Sequence, residues 1–419
     1  MTDVDWIGAA LTAARPQAVA ALLRYFRDLD TAEEAFQEAS LRALKTWPRT
    51  GPPRDPAAWL IFVGRNVAID SVRRRARQEP LPEEAQISDL EDAEAGIAES
   101  IDSGHYSDDV LRLLFVCCHP ELPGTQQIAL ALRVVSGLTV KQIARAFLVS
   151  EAAMEQRITR AKRRIADAEV PLPGAAERGQ RLAAVAAMSY LVFNEGYSAS
   201  GGEASARAPL CEEALRLARL LLRLFPAEPE IMGLLALLIL QHARSGARFD
   251  GQAAIVLLED QDRTLWDSAK IAEGLALIDK AIRHRRRGPY QIQAAIAALH
   301  AGARRPEDTD WAQIDALYAA LEELQPSPVV TLNRAVAVAK VRGPEAALTM
   351  IEPLGDRLSG YFYFHGLRGA LLLKVGREED ARAAFGRAIA LANSPAEAAH
   401  IRTHLDRLMA DSVAAGGAK

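Results

Sequence analysis

The segment GLTVKQIARAFLVSEAAMEQRITRAKRRI, residues Gly137 to Ile165, is the most informative run in this 419-residue chain. Thr139 is placed to cap a short helix over Val140 to Phe147. Ser150 is placed to cap a second one over Glu151 to Ala166, with only Leu148-Val149-Ser150 between them. Two short helices joined this tightly have the layout of a helix-turn-helix. Ile143 and Ala144 are expected to face Val149, Met154 and Ile158, leaving Gln156, Arg157, Arg160, Lys162, Arg163 and Arg164 on the wet faces. From these residues alone, a plain helical hairpin with a solvated basic side reads equally well.

Working outward, apolar residues recur at helical spacing almost everywhere and no convincing alternating β-branched run occurs, so the expected fold class is all-α. Thr31-Ala32-Glu33-Glu34 reads as a helix start and Pro48, Gly51, Pro52, Pro53 and Pro56 as a loop, after which Ala57 to Ala76 reads as one long helix. Val110 to Cys118 and Gly124 to Val135 read as two more. Beyond Pro171, Ala335, Ala347 and Ile351 recur as Gly369, Ala381 and Phe385 at a 34-residue interval, and Leu210 to Phe225 with Ile231 to Leu240 is a looser relative. Small residues where two helices touch and a larger one four positions on are the pattern of tetratricopeptide-like helix pairs.

Charge sharpens the division. The net charge of −4 hides a first segment, 1–78, with 12 basic and 9 acidic residues, an acidic strap, 79–109, with 11 acidic and no basic ones, and a segment, 110–170, with 9 basic and 5 acidic. The strap reads as a linker. The remaining residues, 171–419, balance at 29 of each sign and form a helical repeat region. Three cysteines in this length do not make a disulfide framework. Met1-Thr2-Asp3 does not open a signal peptide, and Ile231 to Leu240 is too short to span a bilayer, so a cytoplasmic protein without membrane contact is expected.

No phosphate-binding loop, dinucleotide fingerprint, HExxH or Gly-x-Ser-x-Gly is present, and no enzymatic activity, metal or cofactor is expected. Cys117-Cys118-His119 lacks a second pair at metal-finger spacing. The polar group Asn194, Glu195 and Tyr197 and the segment from Arg248 through Asp250 to Gln252, followed by Glu259-Asp260-Gln261-Asp262-Arg263 and Trp266, are candidates to line a regulatory pocket, where carboxylates beside an arginine could do acid/base work; loop caps and ion pairs are the plainer account. On the long helix, Asn66, Asp70, Arg73 and Arg77 share one stripe, with Trp59 and Phe62 before it beside the Pro-rich loop. A cationic track next to a flat apolar surface suits single-stranded DNA, although core packing is the plainer role for Trp59.

DTAEEAFQEASLRALKTW (Asp30 to Trp47), DPAAWLIFVGRNVAIDSVRRRAR (Asp55 to Arg77) and the Gly137 to Ile165 segment together resemble the sigma-70 family, extracytoplasmic-function (ECF) class. FVCCHPEL, AFLVS, YLVFNEGYSAS and RFDGQAAIVLLEDQDR resemble a subgroup with a tetratricopeptide-like C-terminal extension. The resemblance implies a factor that directs core RNA polymerase to promoter DNA and helps open it. Glu33, Glu34, Gln37, Glu38 and Arg42 would be exposed contacts to the β′ clamp helices, and the β flap is a second polymerase partner. Trp59, Arg65, Asn66, Asp70, Arg73, Arg74 and Arg77 would serve the −10 element. Glu155, Gln156, Arg157, Arg160, Lys162, Arg163 and Arg164 would serve the −35 duplex. The strap would thread polymerase channels, and the repeat domain would modulate activity or receive a protein partner. The recognition helix opens Glu151-Ala152-Ala153-Met154 where the family usually has Glu-Gly-Thr-Val, which bears on the bases read. Two alternatives stay open: a helix-turn-helix regulator acting without polymerase, and a ligand-sensing or enzymatic helical domain with a DNA-binding output.

Overall fold

Alanine- and leucine-rich helical periodicity with well-placed caps leaves little room for strands. The computed structural model describes residues 5–77, 103–147, 149–165, 175–197, 201–250 and 255–392, with 398 and 401–402. Among these no strand forms, and the sole β-type pairing is the isolated bridge between Phe249 and Ile255. The chain divides into two compact units, Met1–Val192 and Phe193–Lys419.

In the first unit α1 (Asp5–Phe26), α2 (Leu29–Thr50) and α3 (Pro56–Arg77) form a three-helix group. Ile7, Leu22, Phe36, Trp47 and Leu60 fill its centre. Gly64 on α3 lets that helix close on α2, since a Cβ there would stand 3.0 Å from the Ala35 carbonyl oxygen. The start of α2 differs from expectation. Asp28, not Thr31, is the cap: its Oδ1 accepts from the Thr31 amide at 2.7 Å and the Thr31 hydroxyl at 2.6 Å. Thr31 thus lies inside the first turn, and α2 runs through Pro48 to Thr50.

The second group is α4 (Ser103–Cys117), α5 (Gly124–Val134), α6 (Val140–Ala146) and α7 (Glu151–Ile165). Helix α4 takes in residues 103–109, which composition had assigned to the strap; 79–102 lie outside the described residues. Helix α1 packs against α4, so the two groups share a contact surface.

Helix α8 (Ala175–Tyr197) leads into the second unit. There α9 (Gly201–Leu224) and α10 (Pro229–His242) pair, and α10 is buried from Ile231 to Leu240 because α11 (Ser268–Ile282) and α12 (Pro289–Gly302) cover its remaining faces. This accounts for an apolar run with no polar side. Helices α13 (Trp311–Leu324), α14 (Pro328–Arg342), α15 (Pro344–Ile351), α16 (Phe362–Lys374) and α17 (Glu378–Leu391) continue as packed neighbours. The starts of α14 and α16 are 34 residues apart, as are those of α15 and α17. The repeated small residues lie where the helices meet: Ala335, Ala347 and Ala381 are fully buried.

At Gly369 a Cβ would come within 2.6 Å of the Phe385 ring, itself buried. Gly369→Leu is therefore expected to destabilise this unit by about 1–3 kcal/mol through overpacking. Gly386→Ala, where the added methyl meets nothing within 4 Å, should be neutral or stabilise by about 0.5–1 kcal/mol. Urea unfolding of both variants checks the pair.

Candidate nucleic-acid interface and the C-terminal pocket residues

The helix-turn-helix is fixed locally. The Thr139 hydroxyl accepts from the Gln142 amide while Gln142 Oε1 accepts from the Thr139 amide at 2.8 Å, a complete capping box at the start of α6. Ser150 Oγ accepts from the Ala153 amide at 3.2 Å at the start of α7. Ile143, Ala144, Met154, Ile158, Ala161 and Ile165 are buried between the two helices and α5. Glu155, Gln156, Arg160, Arg163 and Arg164 are exposed, Arg157 is half-buried, and Arg160 reaches Gln156 at 3.4 Å.

Lys162 does not stand with them. Its Nζ bonds to Asp30 Oδ1 at 2.5 Å and pairs with Glu33 Oε2 at 2.7 Å. Burial alone would lower the pKa of this ammonium, but attraction to Glu33 and the bonds to Asp30 and Glu33 outweigh it and hold it above the ordinary lysine value. Glu33 is a correction to the expected polymerase face: it is 3 % exposed and accepts from Arg15 Nη2 at 2.9 Å. Arg15 is also buried and donates from Nε to the Val134 carbonyl at 2.9 Å, while its Cζ stands 4.8 Å from the centre of the Phe36 ring. Gly137 has φ +74, and a Cβ there would stand 2.7 Å from Arg15 Cδ. Only glycine suits both conditions. The carboxylate between these cations ties α1 and α2 to α5 and α7. Nearby, Arg24 pairs with Asp109 at 3.1 Å.

The rest of α2 meets expectation in position. Glu34, Gln37 and Glu38 are exposed and Arg42 is half-exposed. Leu41 and Leu44, 54 % and 46 % exposed, lie on the same face, so this surface is apolar as well as charged. The composition did not single them out; two leucines on the outer side of an otherwise amphipathic helix were the available signal.

On α3, Arg65 and Asn66 are exposed, whereas Trp59 is 7 % exposed. Its ring lies edge-on to Trp47, centres 5.3 Å apart, and Trp47 stacks on Trp6 at 6.0 Å. Trp59 is thus a core ring closing the first helix group, with no free face for a base. The exposed aromatic neighbour is Tyr25, with the Arg65 guanidinium 4.5 Å from its ring centre. The side chains of Asp70, Arg73, Arg74 and Arg77 lie outside the described residues, though the α3 backbone extends through them. Cys117 and Cys118 are buried free thiols, both raised by burial, Cys118 to about 12, and His119 Nδ1 accepts from the Glu121 amide at 3.3 Å.

In the second unit Asn194 and Glu195 occupy the end of α8 with Tyr197, and Asp250 is exposed beyond it; Gln252 lies outside the described residues. Tyr197 is the member drawn into a cluster. Arg248 stands 3.6 Å over its ring and donates to its carbonyl, and Arg244 Nη2 donates to its hydroxyl at 3.1 Å. Arg244 and His300 were not foreseen. Burial, then Arg244 and Arg263, push the His300 pKa down to about 4. The folded imidazole therefore stays neutral where the unfolded one, near 6.5, takes up a proton. Stability is expected to fall as pH drops from about 6.5 to about 4, by up to about 3 kcal/mol. In His300→Gln that part of the acid limb should flatten in thermal melts across this range.

Residues 11–78 match Sigma-70 region 2, residues 112–165 match Sigma-70, region 4, and residues 181–282 match a family of unknown function, DUF6596. The chain is 70 % identical over 413 residues to Uncharacterized protein R00370 of Rhizobium meliloti (strain 1021), covering 98 % of each. It is 25 % identical over 171 residues to Probable ECF RNA polymerase sigma factor SigI of Mycobacterium tuberculosis (strain CDC 1551 / Oshkosh), covering 41 % of this chain and 58 % of that protein. The same figures hold for SigI of strain ATCC 25618 / H37Rv. The region 2 match falls on α1 to α3 and the region 4 match on the helices that build and carry the helix-turn-helix, in that order along one chain, so the first unit is similar to the two sigma-70 regions.

Proposed function

We propose that this chain is an ECF-type sigma factor: it binds core RNA polymerase, reads a −35 duplex with α7 and helps open the −10 region with α3, without covalent chemistry of its own. The observation that carries this is α7 itself, capped by Ser150, anchored by Met154 and Ile158, and presenting Glu155, Gln156, Arg157, Arg160, Arg163 and Arg164 outward. The second helix of a helix-turn-helix lies in the major groove, where amide and guanidinium groups distinguish base edges while neighbouring cations hold phosphates.

The face of α2 made by Glu34, Gln37, Glu38, Leu41 and Leu44, with Arg42 beside it, is the polymerase-docking surface in this reading, with an apolar centre and a charged rim. At the −10 element Asn66 and Arg65 act with Tyr25 as the flat surface, in the place first given to Trp59. Energy for opening comes from captured bases and phosphate contacts, which offset the few kcal/mol lost per unstacked step. Residues 1–78 and 103–170 are the two DNA-facing lobes, 79–102 the connection, and 171–419 a tetratricopeptide-like modulating domain.

Glu33 and Lys162 join the two lobes, so the form described here holds part of α7 against α2, and engagement of a promoter involves their separation. Run-off transcription with purified core polymerase and candidate promoters tests the whole reading. Promoter-specific transcripts that need both proteins are expected. No stimulation on any promoter, or tight operator binding by the chain without polymerase, would overturn it.

A further inference from the structure

Four separate segments of the second unit bring arginines together around two aromatic rings. Arg248 and Arg244 both engage Tyr197, as described above. Arg244 and Arg263 both face Trp266, with guanidinium carbons 6.0 Å and 4.7 Å from its ring centre. The result is a continuous line, Arg248, Tyr197, Arg244, Trp266, Arg263. It is set back from the surface, for Trp266 is 7 % exposed and all three arginines are partly buried.

Among the described residues none of the three arginines forms an ion pair; Asp308 and Glu307 act on Arg263 from a longer distance. Arg263 Nη1 donates to the His300 carbonyl at 2.7 Å and to that of Ala303, at the end of α12. Arg248 donates to the carbonyl at the end of α8. These bonds use one nitrogen of each fork, and a guanidinium carries five donors. Arg263 Nε and Trp266 Nε1 are buried and find no acceptor among the described residues. A buried unpaired donor is costly, and Arg244 repels both Arg248 and Arg263. The lowered pKa of His300, partly due to Arg244 and Arg263, is the same excess of positive charge seen by a neighbour.

We propose that Arg244, Arg248 and Arg263, backed by Tyr197 and Trp266, form a binding site for a small phosphate-bearing molecule. Forked donors match tetrahedral oxyanions, often bidentately, and a group of charge near −2 offsets three guanidinia better than one carboxylate can. The part-buried setting favours a small ligand over a nucleic-acid backbone, which needs an open track. Neither the sigma reading nor the DNA-facing helices are needed for this site.

Calorimetric titration of the full chain with pyrophosphate and with inorganic phosphate, at constant ionic strength, tests it. Saturable binding with one site per chain is expected, with pyrophosphate the tighter. Arg244→Gln should weaken it at least tenfold; Arg244 is the cleanest variant because it anchors no helix end. Arg248→Gln should do the same, with circular dichroism checking that the helices remain. The double variant Arg157→Ala, Arg160→Ala should bind as the unmodified chain does, which separates this site from the DNA-facing helix. No saturation by either anion, binding unchanged in Arg244→Gln and Arg248→Gln, or displacement of pyrophosphate by a single-stranded oligonucleotide at equal phosphate concentration would overturn the proposal.

Discussion

Replacing Glu33 with alanine is expected to destabilise the packing of the two N-terminal helix groups by about 3–5 kcal/mol, the usual cost of stranding a buried partner of an ion pair. Arg15 and Lys162 would lose their shared acceptor with side chains only 9 % and 20 % exposed. Glu34→Ala, one position on and exposed, should stay within about 0.5 kcal/mol. Hydrogen exchange is the suitable probe, because it reports α5 and α7 separately from α2. Faster exchange in α7 alone would locate the loss at Lys162, and faster exchange in both at the whole contact. The same variant discriminates between two roles for Glu33. A direct polymerase contact predicts weaker binding of core enzyme by Glu33→Ala. A residue that holds the lobes together predicts binding that is unchanged or tighter, since opening is partly done in advance. Exchange rates matching the unmodified chain would mean that the pair carries no weight in solution.

What the residues revealed in advance follows from distance along the chain. The Thr139 and Ser150 caps and the inward set of Ile143, Met154 and Ile158 are relations within one or two turns, and local spacing exposes them. The 34-residue recurrence of Ala335, Ala347 and Ile351 was legible for a similar reason, since equivalent helix contacts demand equivalent side-chain sizes. Glu33 was not legible. It borders the buried stripe of Ala32, Phe36 and Ala39, and its partners stand 18 residues away at Arg15 and beyond the strap at Lys162. A helix surface carrying Glu33, Glu34, Gln37 and Glu38 gives no local sign that its first member is buried. Trp59 was ambiguous for a different reason: a ring beside a Pro-rich loop looks available to a base, but Trp47 of α2 packs edge-on against it, which is the core role that was the plainer reading. The arginine cluster is assembled from α8, the turn after α10, the segment before α11 and the end of α12, so no spacing rule could collect it. Arg248, Arg263 and Trp266 were noticed as polar and aromatic residues in one stretch, whereas Arg244 and His300 joined only through the packing of α10 and α12.

The second large effect is expected at α7. Arg157→Ala and Arg160→Ala, tested singly in the polymerase-bound chain, should each weaken promoter binding by about 1–3 kcal/mol if the residue reads a base edge. A residue that holds only phosphate should weaken binding on all promoters alike and lower the salt slope by about 0.9. The two differ in position: Arg160 is exposed and Arg157 half-buried against the helix group, so Arg157 has less freedom to follow a changed base. Loss concentrated on a single −35 position is therefore the expected signature of Arg157, and a reduced salt slope that of Arg160. Gel-shift titrations at several salt concentrations, on promoters altered one base pair at a time, separate these outcomes. Lys141→Ala on α6, also exposed, supplies the comparison for a cation outside the groove-facing helix and should change only the slope. Full promoter affinity in the double variant would remove α7 from the duplex. The region 4 fold would then remain, while its use in promoter reading would have to pass to another surface of the chain.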